Sequence, residues 1–511
     1  MGSMREKLAE RNRAKELARS PGGAAAIEKQ HREGKLTARE RVERLLDPGS
    51  FQEIDLLLTS AEDVLNDKAG GIPTDGVITG YGEVNGRSLF VWSQDATVFS
   101  GSVGVMHAQK ITNVMEKALS ARVPVVGMID SVGERPGDLL QYPHFYSLES
   151  IVKMQTLSSG VIPQINLVMG PCVGGMAICA LLADFVFLVR KTSYMHVAPP
   201  PEGKRSEEVG EAWMHAKKTG CYDVFANDDE DCLQKCKQLL SYLPQHNRGK
   251  PPFEITGDDP NRREEELLEL VPVDESKTFN MHRLISLVVD EGEFFELRNY
   301  WAANLIVGLA RMGGYVVGLV ANNPRDKGGC MNLDASDKMA SFVRFCDAFG
   351  IPLIWLADCP AFLPAIDEEV RGLIRHGCRV IYANAQATVP QITISIRKLY
   401  GGGTLAMPGI GLGGDLYASW PALSQGVMGP EGAVSILYKG ELGAIKDETE
   451  RKERKKKRIA EIKEHLNSLE QKQPQEFIDP RDTRPFLIKI VRLLNNKTYE
   501  IPPRKHDNIR M

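Results

Sequence analysis

RVPVVGMID at residues 122–130 and GIPLIWLAD at residues 350–358 are the stretches on which the reading of this chain turns. Each is an apolar run with a proline near its start and an aspartate at its end, and 228 positions separate Pro124 from Pro352. The aspartates, Asp130 and Asp358, keep that spacing. So do Lys110 and Lys338 upstream, and the glycine pairs Gly174-Gly175 and Gly402-Gly403 downstream. Self-similarity at a fixed offset reports repeated architecture, so the chain is predicted to build one unit twice.

Within each half, short apolar runs alternate with glycine-rich turns and amphipathic stretches, which is an α/β pattern. The predicted strands of the first half are GRSLFVWSQ, VPVVGMID and IPQINLVMG; those of the second are YVVGLVANN, IPLIWLAD and VPQITISIR. Helices are predicted over HAQKITNVMEKALSA and over residues 336–349. The polar, proline-containing stretch at residues 249–265 marks the boundary, giving domains 1–255 and 256–511. Two segments read as lying outside the duplication. One is the charged N-terminal arm, where Thr37 and Glu40 have capping-box spacing. The other is KDETERKERKKKRIAEIKEHLNSLEQK near the C-terminus, whose mixed charges read as a solvated helix.

The 511 residues are 42% hydrophobic and 25% charged, enough for two large cores. A formal net charge of −4 gives no polyanion-binding signature, so no nucleic-acid partner is expected. No apolar run is long enough for a membrane span, and the charged start is unlike a signal peptide, so a cytoplasmic location is expected. Nine scattered cysteines read as reduced thiols, with Cys232 and Cys236 sharing one helix face.

A strand that runs through Gly-Gly into a helix leaves unpaired amides at the helix start, where they can converge on an oxyanion. MGPCVGGMAICALLADF at residues 169–185 and RKLYGGGTLAM at residues 397–407 both have this form. Close packing explains one such pair alone, whereas repetition at matched places favours chemistry. Serine-hydrolase elbow, phosphate-loop and zinc motifs are all missing, and no metal is expected. Asp367, Glu368 and Glu369 read as an acidic first helical turn, and His107, His215 and His376 as structural histidines.

On these motifs, together with LTARERVERLLDPGSFQEID, SQDATVFSGSVGVMHAQKI, WPALSQGVMGPEGAV and PPRKHDNIRM, the chain resembles the biotin-dependent acyl-CoA carboxyltransferases over nearly its whole length. That family includes propionyl-CoA carboxylase beta subunits, the transcarboxylase large subunit and the subunits of sodium-pumping decarboxylases. The resemblance implies two tandem crotonase-like subdomains of the ClpP/crotonase superfamily, each a β-β-α superhelix. It implies a homo-oligomer, commonly a hexamer, with active sites at dimer interfaces. Its implied partners are a biotin carboxyl carrier and a biotin carboxylase subunit. Motif by motif, Gly174 and Gly175 take the place of the hole for the acyl-CoA thioester enolate in the N-terminal subdomain. Gly402 and Gly403 take the place of the hole facing the biotin ureido oxygen in the C-terminal one. The resemblance implies that carboxybiotin releases carbon dioxide, that the biotin nitrogen takes the α-proton of the acyl-CoA and that the resulting enolate captures the carbon dioxide, while the protein supplies placement and hydrogen bonds.

The pattern departs from the family near the substrate. Leu405 stands where propionyl-type members carry an aspartate, DSVGERPGD brings Glu134, Arg135 and Pro136 where small or amide residues are usual, and Glu211 replaces a glycine. Leu405, Glu134 and Glu211 are therefore candidate substrate-binding positions for a different acyl group. Three alternatives stay open: the reverse, decarboxylating reaction; a noncatalytic scaffold subunit; and an enoyl-CoA hydratase or isomerase on the same fold.

Overall fold

The structure, a computed structural model, describes residues 3–60, 72–141, 147–470 and 476–509. The chain divides into two units, Met1–Lys250 and Pro251–Met511, each built on one eight-stranded sheet. In the first unit the strands are β1 (Gln52–Ile54), β2 (Val77–Val84), β3 (Arg87–Gln94), β4 (Val125–Ser131), β5 (Gln164–Val173), β6 (Phe185–Val189), β7 (Tyr194–His196) and β8 (Val224–Ala226). They lie in the order β1-β2-β3-β4-β5-β6-β8, with β7 beside the end of β5. The second unit has β9 (Phe294–Leu297), β10 (Leu305–Met312), β11 (Tyr315–Asn322), β12 (Leu353–Cys359), β13 (Gln391–Tyr400), β14 (Leu416–Ser419), β15 (Ser424–Gly426) and β16 (Glu476–Phe477). Its order is the same, strand for strand, with β15 beside β13.

In both sheets the first three strands pair antiparallel and the rest parallel. Parallel strands covered on both faces read as unbroken apolar runs. All seven residues of β4 and all seven of β12 are buried, including their terminal polar ones. The two quoted stretches are thus the central strands of twin sheets.

The duplication reaches further toward the N-terminus than the sequence reading placed it. Helix Ala38–Leu45, capped by Thr37, matches helix Met281–Val288, capped by Asn280. Asp47 and Asp290 follow these helices. Asp47 accepts the N–H groups of Asn85 and Gly86 at 3.0 and 2.8 Å, and Asp290 those of Gly313 and Gly314 at 2.9 and 2.7 Å. Those four residues have positive φ and form the two-residue hairpin turns of β2–β3 and β10–β11. Helix Ala38–Leu45 is therefore part of the repeat, not of an arm outside it.

The paired lysines have one job in both units. Lys110 Nζ donates to the carbonyls of Thr74 and Val77, and Lys338 Nζ to those of Ala302 and Leu305, the positions 228 residues on. Thr74 and Ala302 have positive φ, so each lysine pins a strained turn at the head of a strand. Burial pushes Lys110 down to about 8 and Lys338 to about 7.

The paired aspartates are also buried, but they are neutralised differently. Asp358 meets Arg397 of the neighbouring β13 at 3.0 Å, with neither side chain exposed. At the matching place in β5 stands Gly170, and a Cβ there would fall 2.1 Å from the Asp130 carboxylate. Arg41, from helix Ala38–Leu45, takes over and meets Asp130 at 3.0 Å and Asp229 at 2.8 Å. One charge requirement is met by two routes.

Candidate active site

The strand-to-helix junctions are superposable in their hydrogen bonding. β5 ends at Val173, Gly174 adopts φ 63° and ψ −135°, and a helix runs over Gly175–Leu181. β13 ends at Tyr400, Gly401 adopts φ 53° and ψ −127°, and a helix runs over Gly402–Ala406. Only glycine takes that backbone conformation without strain. Gly174 donates its N–H to the His196 carbonyl of β7, and Gly401 to the Gly426 carbonyl of β15, each at 2.9 Å.

This corrects the first pair. From Asp130 to Pro163 is 33 residues, whereas from Asp358 to Pro390 is 32, so the offset falls from 228 to 227 before the glycines. Gly174 therefore corresponds to Gly401, and its amide is already committed. The amides at the first two helical positions are those of Gly175 and Met176 in one unit and Gly402 and Gly403 in the other. No carbonyl among the described residues accepts from any of the four. Helix starts leave such groups unpaired, with partial positive charge directed outward. Leu148 lies against Gly175, and the ring of Phe362 against Gly402.

Glu134 follows β4, in a loop fastened by its neighbours. Val103 donates to the Gly133 carbonyl at 2.8 Å, and Arg135 donates back to the Val103 carbonyl at 2.9 Å. The Arg135 guanidinium meets Asp75 at 2.6 Å and lies 4.3 Å above the Phe99 ring. Arg135 thus locks the loop while Glu134 stays half-buried beside the helix that begins at Gly175. Burial pushes the Cys179 thiol of that helix up to about 12, and the Glu134 charge adds to the rise. Glu211 is exposed, at the bend between Ser206–Gly210 and Ala212–Met214. Leu405 sits in the helix that starts at Gly402, 46% exposed.

Against this sheet end in the first unit lies a cavity of about 710 Å³, whose lining includes Gln30, Lys35, Asp130, Lys191, Thr192 and Tyr194. Gln30 Oε1 and Thr192 Oγ1 are buried without a hydrogen-bond partner among the described residues.

The three histidines considered from sequence all have partners within the fold. His107 Nδ1 contacts the Asp75 carbonyl at 2.9 Å, His215 Nε2 the Met195 carbonyl at 2.8 Å, and His376 Nδ1 the Asp337 carboxylate at 2.8 Å. Burial pushes His107 down from 6.5 to about 3. The folded state thus refuses a proton that the unfolded chain accepts, so this contribution to stability is full above pH 6.5 and is lost as pH falls toward 3. At pH 5 the loss is about 2 kcal/mol. Urea midpoints at pH 7.5 and 5 are expected to differ less for His107→Gln than for the wild-type chain; an equal difference would count against this linkage.

Among the described residues there is no cluster of three metal-ligating side chains, and no helix is long and apolar enough to cross a membrane. Cys232 and Cys236 are both fully buried.

Residues 29–509 match the Carboxyl transferase domain family. The chain is 40% identical over 518 residues to the carboxyltransferase subunit of propionyl-CoA carboxylase from Haloferax mediterranei, covering 99% of both chains. It is 37% identical over 516 residues to the alpha subunit of methylmalonyl-CoA decarboxylase from Veillonella parvula, covering 100% of both. The crystal structure of transcarboxylase 12S, described as a hexamer and holding methylmalonyl-coenzyme A and methylmalonic acid, aligns with a TM-score of 0.94 at 35% identity, over 100% of this chain and 99% of that one. The crotonase-like fold expected in tandem is thus the fold of this protein. With its sheets, its helix-start amides and these relatives taken together, the chain belongs to the carboxyl transferase domain family and is an enzyme of that family.

Proposed function

We propose that this enzyme moves a carboxyl group between carboxylated biotin, carried on a separate subunit, and the α-carbon of an acyl-CoA. The observation that carries the reading is the repeated pair of unpartnered amides at Gly175-Met176 and Gly402-Gly403. Carboxyl transfer to a thioester develops charge on two carbonyl-type oxygens, one on each reactant, and fixed amides aimed at developing charge lower the barrier. In this reading the first unit holds the thioester and the second receives the biotin ureido oxygen. Phe362 beside the Gly402 amide fits that group, offering an apolar ring face next to hydrogen-bond donors. Biotin, when bound, supplies the carboxyl group in a labile N-carboxyl form.

The protein's own contribution is orientation and hydrogen bonding. Gly175 and Met176 donate to the thioester oxygen as the α-proton leaves, and Gly402 and Gly403 donate to the ureido oxygen. Gly174 and Gly401 are positioning residues, since their bonds to β7 and β15 fix the direction of the next two amides. Glu134, Glu211 and Leu405 remain candidates for reading the acyl group, and the half-buried Glu134 has the better placement. A homo-oligomer that works with a biotin carrier and a biotin carboxylase subunit belongs to the same proposal.

The same amides serve decarboxylation of a dicarboxylic acyl-CoA, and the similarity to a decarboxylase subunit supports keeping that direction as a second reading. The test is a panel of acyl-CoA and dicarboxylic acyl-CoA thioesters incubated with biotin or its carrier, following carboxyl exchange by mass spectrometry. Exchange with at least one thioester is expected. Thioester binding without exchange on any member would instead indicate a scaffold subunit.

A further inference from the structure

We infer that His196 is a substrate-binding residue, whose ring nitrogen Nε2 accepts a hydrogen bond from a donor group of the acyl-CoA thioester. This rests on the proposed function and adds a residue to it. His196 lies at the end of β7, in register with Val173, and its carbonyl holds the Gly174 amide. The residue is 9% exposed. Nδ1 lies 2.9 Å from the Ala198 carbonyl, which assigns the proton of the neutral ring to Nδ1 and leaves Nε2 as a bare acceptor. That Nε2 is buried without a partner among the described residues. A buried acceptor with no donor is costly, and natural structures keep one where a ligand or other group completes it.

The second unit supplies an internal control. In β15 the matching residue is Gly426, in register with Tyr400, and its carbonyl holds the Gly401 amide at the same 2.9 Å. The junction therefore needs the backbone of this residue and no side chain at all. The imidazole is an addition made only on the side that the proposed function assigns to the thioester. Its neighbour Tyr194, stacked with ring centroids 6.1 Å apart, lines the cavity of the first unit. A donor that reaches Nε2 is either an amide N–H of the pantetheine arm or a polar group of the acyl chain.

Three variants separate function from structure. Asparagine mimics Nδ1 and keeps the bond to Ala198, glutamine reaches as far as Nε2, and phenylalanine removes the unpaired acceptor. Calorimetry without any carboxyl donor, using the thioester that the wild-type chain turns over, is expected to show His196→Asn and His196→Phe weakening binding by about tenfold. His196→Gln should recover most of it. His196→Phe should also raise the thermal midpoint, because the buried unpaired atom is gone while the exposed Ala198 carbonyl is free to bind water. Equal losses with free coenzyme A assign the donor to the pantetheine arm; losses confined to the acylated form assign it to the acyl group. Unchanged affinity in His196→Asn, or a fall in affinity and thermal midpoint together in His196→Phe, overturns the inference. A wild-type chain that binds no acyl-CoA removes the parent reading as well.

Discussion

Replacing Arg397 with leucine is expected to lower the unfolding free energy of the chain by about 3–5 kcal/mol, the usual result of stranding one member of a buried ion pair. Asp358 and Arg397 are both fully buried, and the guanidinium also donates to the carbonyls of Pro272, Asp274 and Lys277 at 3.1, 3.1 and 2.8 Å. Leucine leaves the carboxylate with the Lys398 amide at 2.9 Å and no cation, in the middle of the sheet. Urea unfolding followed by the fluorescence of Trp355 and Trp420, both buried in this unit, reads the change. Adding Asp358→Asn to the leucine variant should recover much of the loss, because the stranded charge is then gone. A single variant with a wild-type midpoint would show that the pair carries no such role.

The second large effect is catalytic. Proline at the first position of a helix costs little, since that N–H has no partner inside the helix and the fixed φ suits the turn. Gly175→Pro and Gly402→Pro therefore delete one proposed donor each. Their side chains bring a second change, because a Cβ at Gly175 meets Leu148 at 2.2 Å and one at Gly402 meets Phe362 at 2.6 Å. Gly175→Ala and Gly402→Ala introduce the same Cβ and keep the N–H, so each alanine variant is the reference for its proline partner. Against that reference, losing one oxyanion donor is expected to reduce kcat by about 10²–10³. Larger side chains at Gly403 test the idea less cleanly, because a Cβ there falls 2.8 Å from the Cys359 carbonyl oxygen and disturbs the strand itself.

Sequence was most informative where the physics is local. β4 and β12 were legible because a strand covered on both faces must be apolar throughout, and their partner strands shared the same offset. The glycine pairs were legible for a similar local reason, since the junction from strand to helix needs the positive φ of Gly174 and leaves little room for a side chain at Gly175, Gly402 and Gly403. The register between the pairs was harder to read, because a one-residue difference between Asp130–Pro163 and Asp358–Pro390 leaves every element intact, and its consequence shows in which amide meets which carbonyl. Helix Ala38–Leu45 hid its kinship with Met281–Val288 for another reason. Between β1 and β2 the first unit has 15 more residues than the second has between β9 and β10, so the two helices, which share a cap, the following aspartate and buried residues at the same positions, stand 243 rather than 228 residues apart. Arg41 and His196 act through tertiary contacts, one with an aspartate 89 residues away and one through a three-residue strand, so neither left a motif to find. The histidines drawn out by their neighbours in sequence proved to be held by backbone or carboxylate partners.

The measurement that bears most directly on the twin amide pairs is the rate of carboxyl exchange between biotin and an accepted thioester in the two proline variants, each set against its own alanine variant at matched fold stability. The account predicts a fall of about 10²–10³ in both comparisons. Proline and alanine variants that exchange at the same rate, in either unit, would contradict it.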